Sequence, residues 1–307
     1  MINAMRPNPA EGEALIRVHL AGICNTDIEL VKGYMSFVGI PGHEFVGTVE
    51  QSNQKVLLGK RVIGEINAGC GKCELCLNGD SRHCSGRTVL GITGRDGAFA
   101  QYLSLPDRNL IPIPDTIPDE TAVLIEPLAA AIQILTQIEI RKEYKVLIIG
   151  DGKLGILTAI VLQMVNPNVI LAGHHIERNK AMLPKTEHID FSLNEPEPAS
   201  FDFIIEASGN MEGFQNALKY VRPKGTIILK STYHGQPPID TSNIVVNEIT
   251  VIGSRCGRFE PAINALVSNS VSIPQDYISE TFPIDKGIEA VNFAQQKGVL
   301  KVLIDMH

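Results

Sequence analysis

KVLIIGDGKLG, residues 145–155, decides the fold. Val146–Ile149 form an unbroken apolar run, and KLGILTAIVLQMV starts a helical pattern at Lys153. Gly150, Gly152 and Gly155 spell G-x-G-x-x-G where strand gives way to helix. In such a turn the first glycine permits the sharp bend, the second lets the main chain approach a pyrophosphate, and the third lets helix and strand pack closely. The free N–H groups of the helix start then face phosphate charge. The stretch predicts a dinucleotide site built on Gly150, Gly152, Lys153, Leu154 and Gly155.

Outward from this turn the alternation of strand and helix continues. NVILAG, FDFIIEAS, GTIILKS and ITVIGS have strand patterns, and MEGFQNALKYV is a helix. This order predicts an α/β doubly wound parallel sheet, and the continuous Val/Ile/Leu runs suit strands covered on both faces. A dinucleotide site normally carries Asp or Glu about 20 residues beyond the glycines, to bond the ribose 2′-hydroxyl. Here the second strand ends LAGHHIER, with Gly173, His174 and His175 at that place and Glu177 and Arg178 beyond. No carboxylate closes the strand. A small residue followed by His174, His175 and Arg178 suits a 2′-phosphate, so the cofactor is expected to be NAD(P), leaning to NADP. The competing reading has Glu177 reaching back and the histidines merely solvated.

Towards the N-terminus the texture changes. EALIRVHL (13–20) alternates like a strand, with Ala14, Ile16, Val18 and Leu20 on one side, and FVGTVE, KRVIGEI and AFAQYLSL follow as short strands punctuated by glycine and proline. No long helical pattern occurs before about residue 115, which predicts a β-rich, barrel-like first part. From Asp119 the sequence turns helical. The tail ETFPIDKGIEAVNFAQQKGVLKVLID is one helix and one strand, able to extend the sheet or to return to the first part.

The 307 residues allow two domains, and 44% hydrophobic content supports a sizeable core. A net charge of −7 without a long basic run argues against a nucleic-acid partner. The N-terminal MINAMRPNPAEGE is polar and no 18-residue apolar run exists, so neither a signal peptide nor a membrane span is expected and the placement is cytoplasmic. In a reducing compartment, clustered cysteines bind metal more often than they pair.

GCGKCELCLNGDSRHC sets Cys70, Cys73, Cys76 and Cys84 at C-x2-C-x2-C-x7-C. Four thiolates so close can close a tetrahedron around Zn²⁺. An iron–sulfur cluster uses similar spacing, and two disulfides are the remaining alternative. With all four thiolates engaged, no position is left open for chemistry, so the metal is structural. Gly69, Gly71 and Gly79 supply the turns of the lobe. A second constellation comprises Cys24 in AGIC, His43 and Glu44 in PGHEFVG, and Glu126 in LIEPLA.

AGIC-x-T-D, GHEFVG, the four-cysteine lobe, DGAFAQY, IEPLA, G-x-G-x-x-G, FDFIIEASG and the closing LKVLI together resemble the zinc-dependent medium-chain dehydrogenase/reductase family, the alcohol, polyol and threonine dehydrogenases. The resemblance covers nearly the whole chain. It implies a GroES-like catalytic domain over 1–124 and 273–307, carrying the structural zinc lobe at about 69–85. It implies a Rossmann domain over 125–272, with the active site in the cleft between the two. By resemblance, Cys24 and His43 are catalytic-zinc ligands. Glu44 ligates zinc or stands just behind it, and Glu126 takes the third-ligand position. The remaining zinc position must stay open to water or substrate. Each chain would hold a catalytic and a structural zinc. Zinc lowers the pKa of a substrate hydroxyl, and hydride passes to the nicotinamide. Thr26 matches the hydroxyl that passes the proton outward, and Asp27 an acid that supports the metal site. Many relatives place histidine where Glu29 stands, so Glu29 is the candidate end of the proton path, or a surface glutamate.

The partner is expected to be a small-molecule alcohol or carbonyl substrate. Relatives pair a strand matching ITVIGS across a subunit interface, which implies a homodimer or homotetramer. Cys256, just after that strand, reads as packing. Relatives also begin with one or two more strands before Glu13, so part of the substrate wall is expected to differ. Two other readings compete: a non-catalytic NAD(P)-binding zinc protein acting as redox sensor or structural protein, and a zinc-free quinone or enone reductase.

Overall fold

The computed structural model describes residues 4–232 and 239–307, so Met1–Asn3 of the polar N-terminal stretch lie outside the described residues. The chain forms two compact units, Met1–Glu126 with Ile278–His307, and Pro127–Tyr277.

The elements of the first unit begin with β1 (Glu13–Ile23), α1 (Asn25–Val31), β2 (Glu44–Gln51) and β3 (Arg61–Gly64). The ribbon β4 (Asn67–Ala68) and β5 (Thr88–Val89) brackets the cysteine lobe, which holds the single-turn α2 (Glu74–Leu77). Then come β6 (Tyr102–Pro106), β7 (Leu110–Pro112) and α3 (Asp119–Ala122). The helical stretch from Asp119 is broken at Val123–Leu124 and resumes as α4 (Ile125–Gln137), which runs across the boundary between the units. Pro127 falls in the first turn of α4, where a missing N–H costs no hydrogen bond.

The second unit continues with β8 (Val146–Ile149), α5 (Lys153–Leu162), β9 (Val169–Gly173), α6 (Ile176–Met182) and β10 (Glu187–Asp190). Next are β11 (Phe201–Glu206), α7 (Met211–Tyr220), β12 (Val221–Leu229), α8 (Thr241–Val246), β13 (Thr250–Gly253) and α9 (Phe259–Val267). The chain returns to the first unit through β14 (Ile278–Pro283), α10 (Gly287–Phe293) and β15 (Lys301–Asp305).

The first unit is a seven-stranded sheet in the order β14-β15-β1-β2-β3-β7, with β6 also paired to β1. β1 organises it, pairing antiparallel with β2, β6 and β15 along its length. Its simple alternation fails at Leu15, which is buried beside Ala14 and Ile16, while Leu20 is only half-buried. The strand expected over AFAQYLSL starts only at Tyr102. Ahead of it Gly97 lies against Gly42 and Gly91, and a Cβ on Gly97 would come within 2.2 Å of the Gly42 carbonyl oxygen. This close main-chain crossing takes the place of sheet pairing.

The second unit is a six-stranded sheet in the order β10-β9-β8-β11-β12-β13, every pair parallel. All four residues of β8 are buried, and so are residues 155–162 of α5, as a strand covered on both faces and a helix apolar all round require. Leu147, Ile204, Phe214, Ala217 and Ile227 form the heart of one packing layer. The fold is therefore α/β with a GroES-like, β-rich unit and a Rossmann-type parallel sheet. No described helix is long and apolar enough to cross a membrane.

Candidate metal and dinucleotide sites

The first site is assembled where β1 ends and β2 begins. Cys24 follows β1 and precedes α1, and its main-chain N–H donates to Asp27 Oδ2 at 2.8 Å. The other Asp27 oxygen accepts from the Gly42 N–H at 3.1 Å and lies 3.0 Å from His43 Nδ1. Asp27 is wholly buried and His43 nearly so. With Nδ1 engaged by the carboxylate, the ring's other nitrogen is the one left for a ligand role. Burial disfavours a charged imidazole, but the charge and hydrogen bond of Asp27 outweigh it and hold the His43 pKa well above its ordinary value. Surroundings that favour a proton there also favour a metal cation.

Glu44 opens β2 opposite Gly22 of β1. A Cβ on Gly22 would sit 2.2 Å from Glu44 Oε2, so the glycine of AGIC is what gives this carboxylate its room. Glu44 is fully buried and paired with Lys301 of β15, whose Nζ lies 2.7 Å and 2.5 Å from its two oxygens. Lys301 is 1% exposed and also donates to the Ile23 carbonyl at 3.3 Å. Burial pulls the Lys301 pKa down, but the charge of Glu44, with smaller contributions from Cys24 and Glu126, leaves it raised.

Cys24, His43 and Glu44 each offer one ligand atom, and the three lie within 4.8 Å of one another. Zn²⁺ bonds of roughly 2.0–2.3 Å span such a set, and sulfur, imidazole and carboxylate are its usual donors. Glu126, half-buried at the start of α4, does not join this cluster. Thr26 is half-buried, with its hydroxyl 3.9 Å from Cys24 Sγ. Glu29 is ion-paired with Lys32 at 3.1 Å.

The four lobe cysteines are also within 4.8 Å of one another, and every cysteine among the described residues is free of disulfide. Main-chain N–H groups aim at the sulfurs. Those of Lys72 and Cys73 lower the Cys70 pKa to about 6, and that of Cys70 lowers Cys84, whereas burial raises Cys76 to about 11. Gly69 stands against Cys76 Sγ, which a Cβ would approach to 2.7 Å. Gly71 and Gly79 take the left-handed turns. Cys256 is half-buried and belongs to neither cluster.

In the second unit the fingerprint glycines differ in their surroundings. Gly150 has φ +108° and presses on the main chain of Ala207 and Ser208, where a Cβ would fall 2.6 Å away. Gly152 has nothing within 4 Å of its Cβ position and precedes the first turn of α5, leaving its main chain open to approach. Gly155 packs on the Gly150 carbonyl at 1.8 Å from a would-be Cβ. Lys153 and Leu154 are half-buried in the first turn, where the Lys153 carbonyl accepts the hydroxyl of buried Tyr277 at 3.0 Å. At the end of β9, His174 is exposed, while His175 and Arg178 are half-buried. The Glu177 side chain is 94% exposed and stands 3.9 Å from Lys180.

Two functional candidates escaped the motif reading, Lys301 and Asp151. Each carried a signal: a lysine inside the apolar run VLKVLI, and an acid between two fingerprint glycines.

Comparison with known proteins fits this arrangement. Residues 10–115 match the alcohol dehydrogenase GroES-like domain and residues 181–270 the zinc-binding dehydrogenase model. A sorbitol dehydrogenase of Halalkalibacterium halodurans is 28% identical over 97% of this chain and 93% of its own length. An L-threonine 3-dehydrogenase of Chelativorans sp. is 31% identical over 73% of this chain and 70% of its own length. A short chain alcohol dehydrogenase (rspB) of Escherichia coli, solved with NADH, superposes with a TM-score of 0.89 at 26% identity, covering 99% of this chain and 94% of that one. The chain belongs to the zinc-dependent medium-chain dehydrogenase/reductase family. It is an oxidoreductase of the alcohol and polyol dehydrogenase class, moving a hydride between a hydroxyl or carbonyl substrate and NAD(P).

Proposed function

We propose that the chain is a zinc-dependent dehydrogenase of small alcohols or polyols, holding a catalytic and a structural zinc and taking NADP(H). The observation that carries this is the convergence of Cys24, His43 and Glu44, with Asp27 behind the histidine and Lys301 behind the glutamate. Cys24, His43 and Glu44 would hold a zinc ion, which would supply Lewis acidity at the substrate oxygen. Asp27 fixes the orientation of His43 and keeps the proton on Nδ1. Lys301 balances the charge of Glu44 and holds both its oxygens. Thr26, beside the thiolate, receives the substrate's proton. Its onward path through Glu29 is tested by Glu29→Gln: an unchanged kcat across pH would place the exit elsewhere. Cys70, Cys73, Cys76 and Cys84 hold the structural ion.

A dinucleotide bound at the glycine turn would supply the hydride acceptor or donor. Gly150, Gly152 and Gly155 shape the turn for its pyrophosphate, next to the start of α5. NADP(H) is preferred because β9 itself ends in Gly173 rather than in an acid, and Glu177 points to solvent. The exposed edge strand β13, with Val251 39% exposed, supports assembly into a dimer or tetramer through that edge. A cytoplasmic setting suits the free thiols.

The test combines two measurements on one preparation. Zinc per chain is determined, and NAD(P)H absorbance is followed over alcohols, polyols, hydroxy-amino acids and aldehydes. Two zinc ions with turnover are expected. One zinc with no turnover on any substrate would favour a non-catalytic nucleotide sensor.

A further inference from the structure

We propose that Asp151, from inside the glycine fingerprint, sets the choice between the two dinucleotides. This deepens the NADP(H) reading above and rests on it. Asp151 is 6% exposed, and its side chain crosses from the β8–α5 turn to the end of β9. Its Oδ2 accepts from the main-chain N–H groups of His174 at 3.0 Å and His175 at 2.7 Å, and from Asn179 Nδ2 at 2.9 Å. The His175 ring nitrogen Nδ1 lies 3.3 Å from both oxygens. Arg178 donates to the Asp151 carbonyl at 2.6 Å and makes two further bonds to Asn179 Oδ1, at 3.0 and 2.9 Å.

Two consequences follow for the ribose. Asp151 occupies the space beside Gly173, where a Cβ would lie 2.0 Å from its Cγ. No side chain fits at 173, so the usual strand-end acid, which bonds a 2′-hydroxyl and repels a 2′-phosphate, is excluded. The Asp151 carboxylate is not a ready substitute, since Oδ2 accepts three N–H donors and Oδ1 faces the His175 ring at 3.3 Å. What this carboxylate does instead is fix the main chain of residues 174–179 and, through its own carbonyl, the guanidinium of Arg178. A basic group so held offers donors to a phosphate. Burial pushes the Asp151 carboxyl up, but the hydrogen bonds from His175 and Asn179 prevail and hold it below the usual range, so it is ionised in this role. Asp151 is thus a positioning residue, and removing its charge frees the loop that discriminates.

The test uses 2′,5′-ADP and 5′-AMP, which report on the adenosine end alone, titrated calorimetrically onto the purified full chain. The wild type is expected to bind 2′,5′-ADP about 10-fold or more tighter than 5′-AMP. Asp151→Asn should bring that ratio to within about 3-fold while 5′-AMP affinity changes little, and should raise KM for NADP without a matching fall in kcat. A double variant, Asp151→Gly with Gly173→Asp, moves the acid to the strand end and should reverse the preference; it decides the matter if Asp151→Asn does not fold. A wild-type ratio near one overturns the NADP(H) reading and this inference with it. A high wild-type ratio that survives in Asp151→Asn, or loss of both ligands equally, overturns the inference alone and leaves the reading standing. Retention of 2′,5′-ADP preference by the double variant also overturns it.

Discussion

The two cysteine-bearing clusters of the first unit are built in opposite ways. The lobe takes its four thiols from one loop of fifteen residues, Cys70 to Cys84, shaped by glycine turns and tuned by the loop's own N–H groups. Cys70 is exposed and only Cys84 is buried. The Cys24–His43–Glu44 cluster is sunk in the sheet, and its supports come from elsewhere: Asp27 from α1 and Lys301 from β15. A loop that supplies its own ligands needs little from the fold, whereas the second cluster is a product of the fold. The first kind of site anchors a loop. The second can hold ligands at a fixed spacing with buried charge behind them.

Breaking the deep cluster should have the largest effect. His43→Ala is expected to lower kcat/KM by about three orders of magnitude or more and to remove one zinc while the lobe keeps its own, read by metal analysis beside steady-state kinetics. Activity within tenfold of wild type would sink the assignment. Lys301→Met leaves the Glu44 charge buried without its partner, and urea unfolding should show a loss of about 3–5 kcal/mol. A loss under about 1 kcal/mol would mean that the pair does not brace the site.

Cys84→Ser tests the shallow cluster. The lobe ion should be lost and Tm should drop by roughly 5–10 °C, with kcat of the folded enzyme changed only about threefold. A collapse of kcat at unchanged Tm would show the lobe to be more than an anchor. The smallest effect concerns the tether of the lobe. Arg95 donates to Thr88 of β5 at 3.2 Å and to Glu13 of β1 at 2.7 Å, joining the ribbon that brackets the lobe to the sheet. Burial raises the Glu13 carboxyl, but the hydrogen bonds from Arg95 and Ser104 outweigh it and leave the pKa lowered. A folded-state pKa below the unfolded one gives stability that is present above the unfolded value and lost as pH falls through the folded one. Glu13→Gln should therefore cost about 1 kcal/mol at neutral pH and nothing near pH 2. Denaturant curves at both pH values check the sign; an equal cost at both would locate the effect in packing.

This contrast also explains what could be read from the sequence. The fingerprint and the lobe were legible because their geometry is local: three glycines within six residues, four cysteines within fifteen. The apolar runs of β8 and β9 announced a covered sheet. Short polar elements such as β10, EHID, carried no such period, and the helical run after Asp119 gave no sign of its break at Val123. At the candidate sites, residue types were legible and distances were not. Cys24, His43 and Glu44 converge because β1 and β2 pair in the register that sets Gly22 against Glu44. Glu126 carries the same kind of side chain and stays outside the cluster. Lys301 could be noticed as an odd charge in an apolar strand, but its partner could not be named before β15 was seen beside β1.

The Lys301–Glu44 pair also bears on the order of events at the ribosome. The two residues are 257 positions apart, and the whole of Pro127–Tyr277 is synthesised between them. At about 5–20 residues per second, Glu44 waits roughly 13–50 seconds for its counter-charge. During that interval the nucleotide-binding unit can be completed, while the carboxylate meant for the buried pair has only water or stray cations for company. The cysteine lobe, contained in one loop, is thus complete early in synthesis, whereas the deep cluster gains its buried counter-charge only when β15 arrives near the end of the chain.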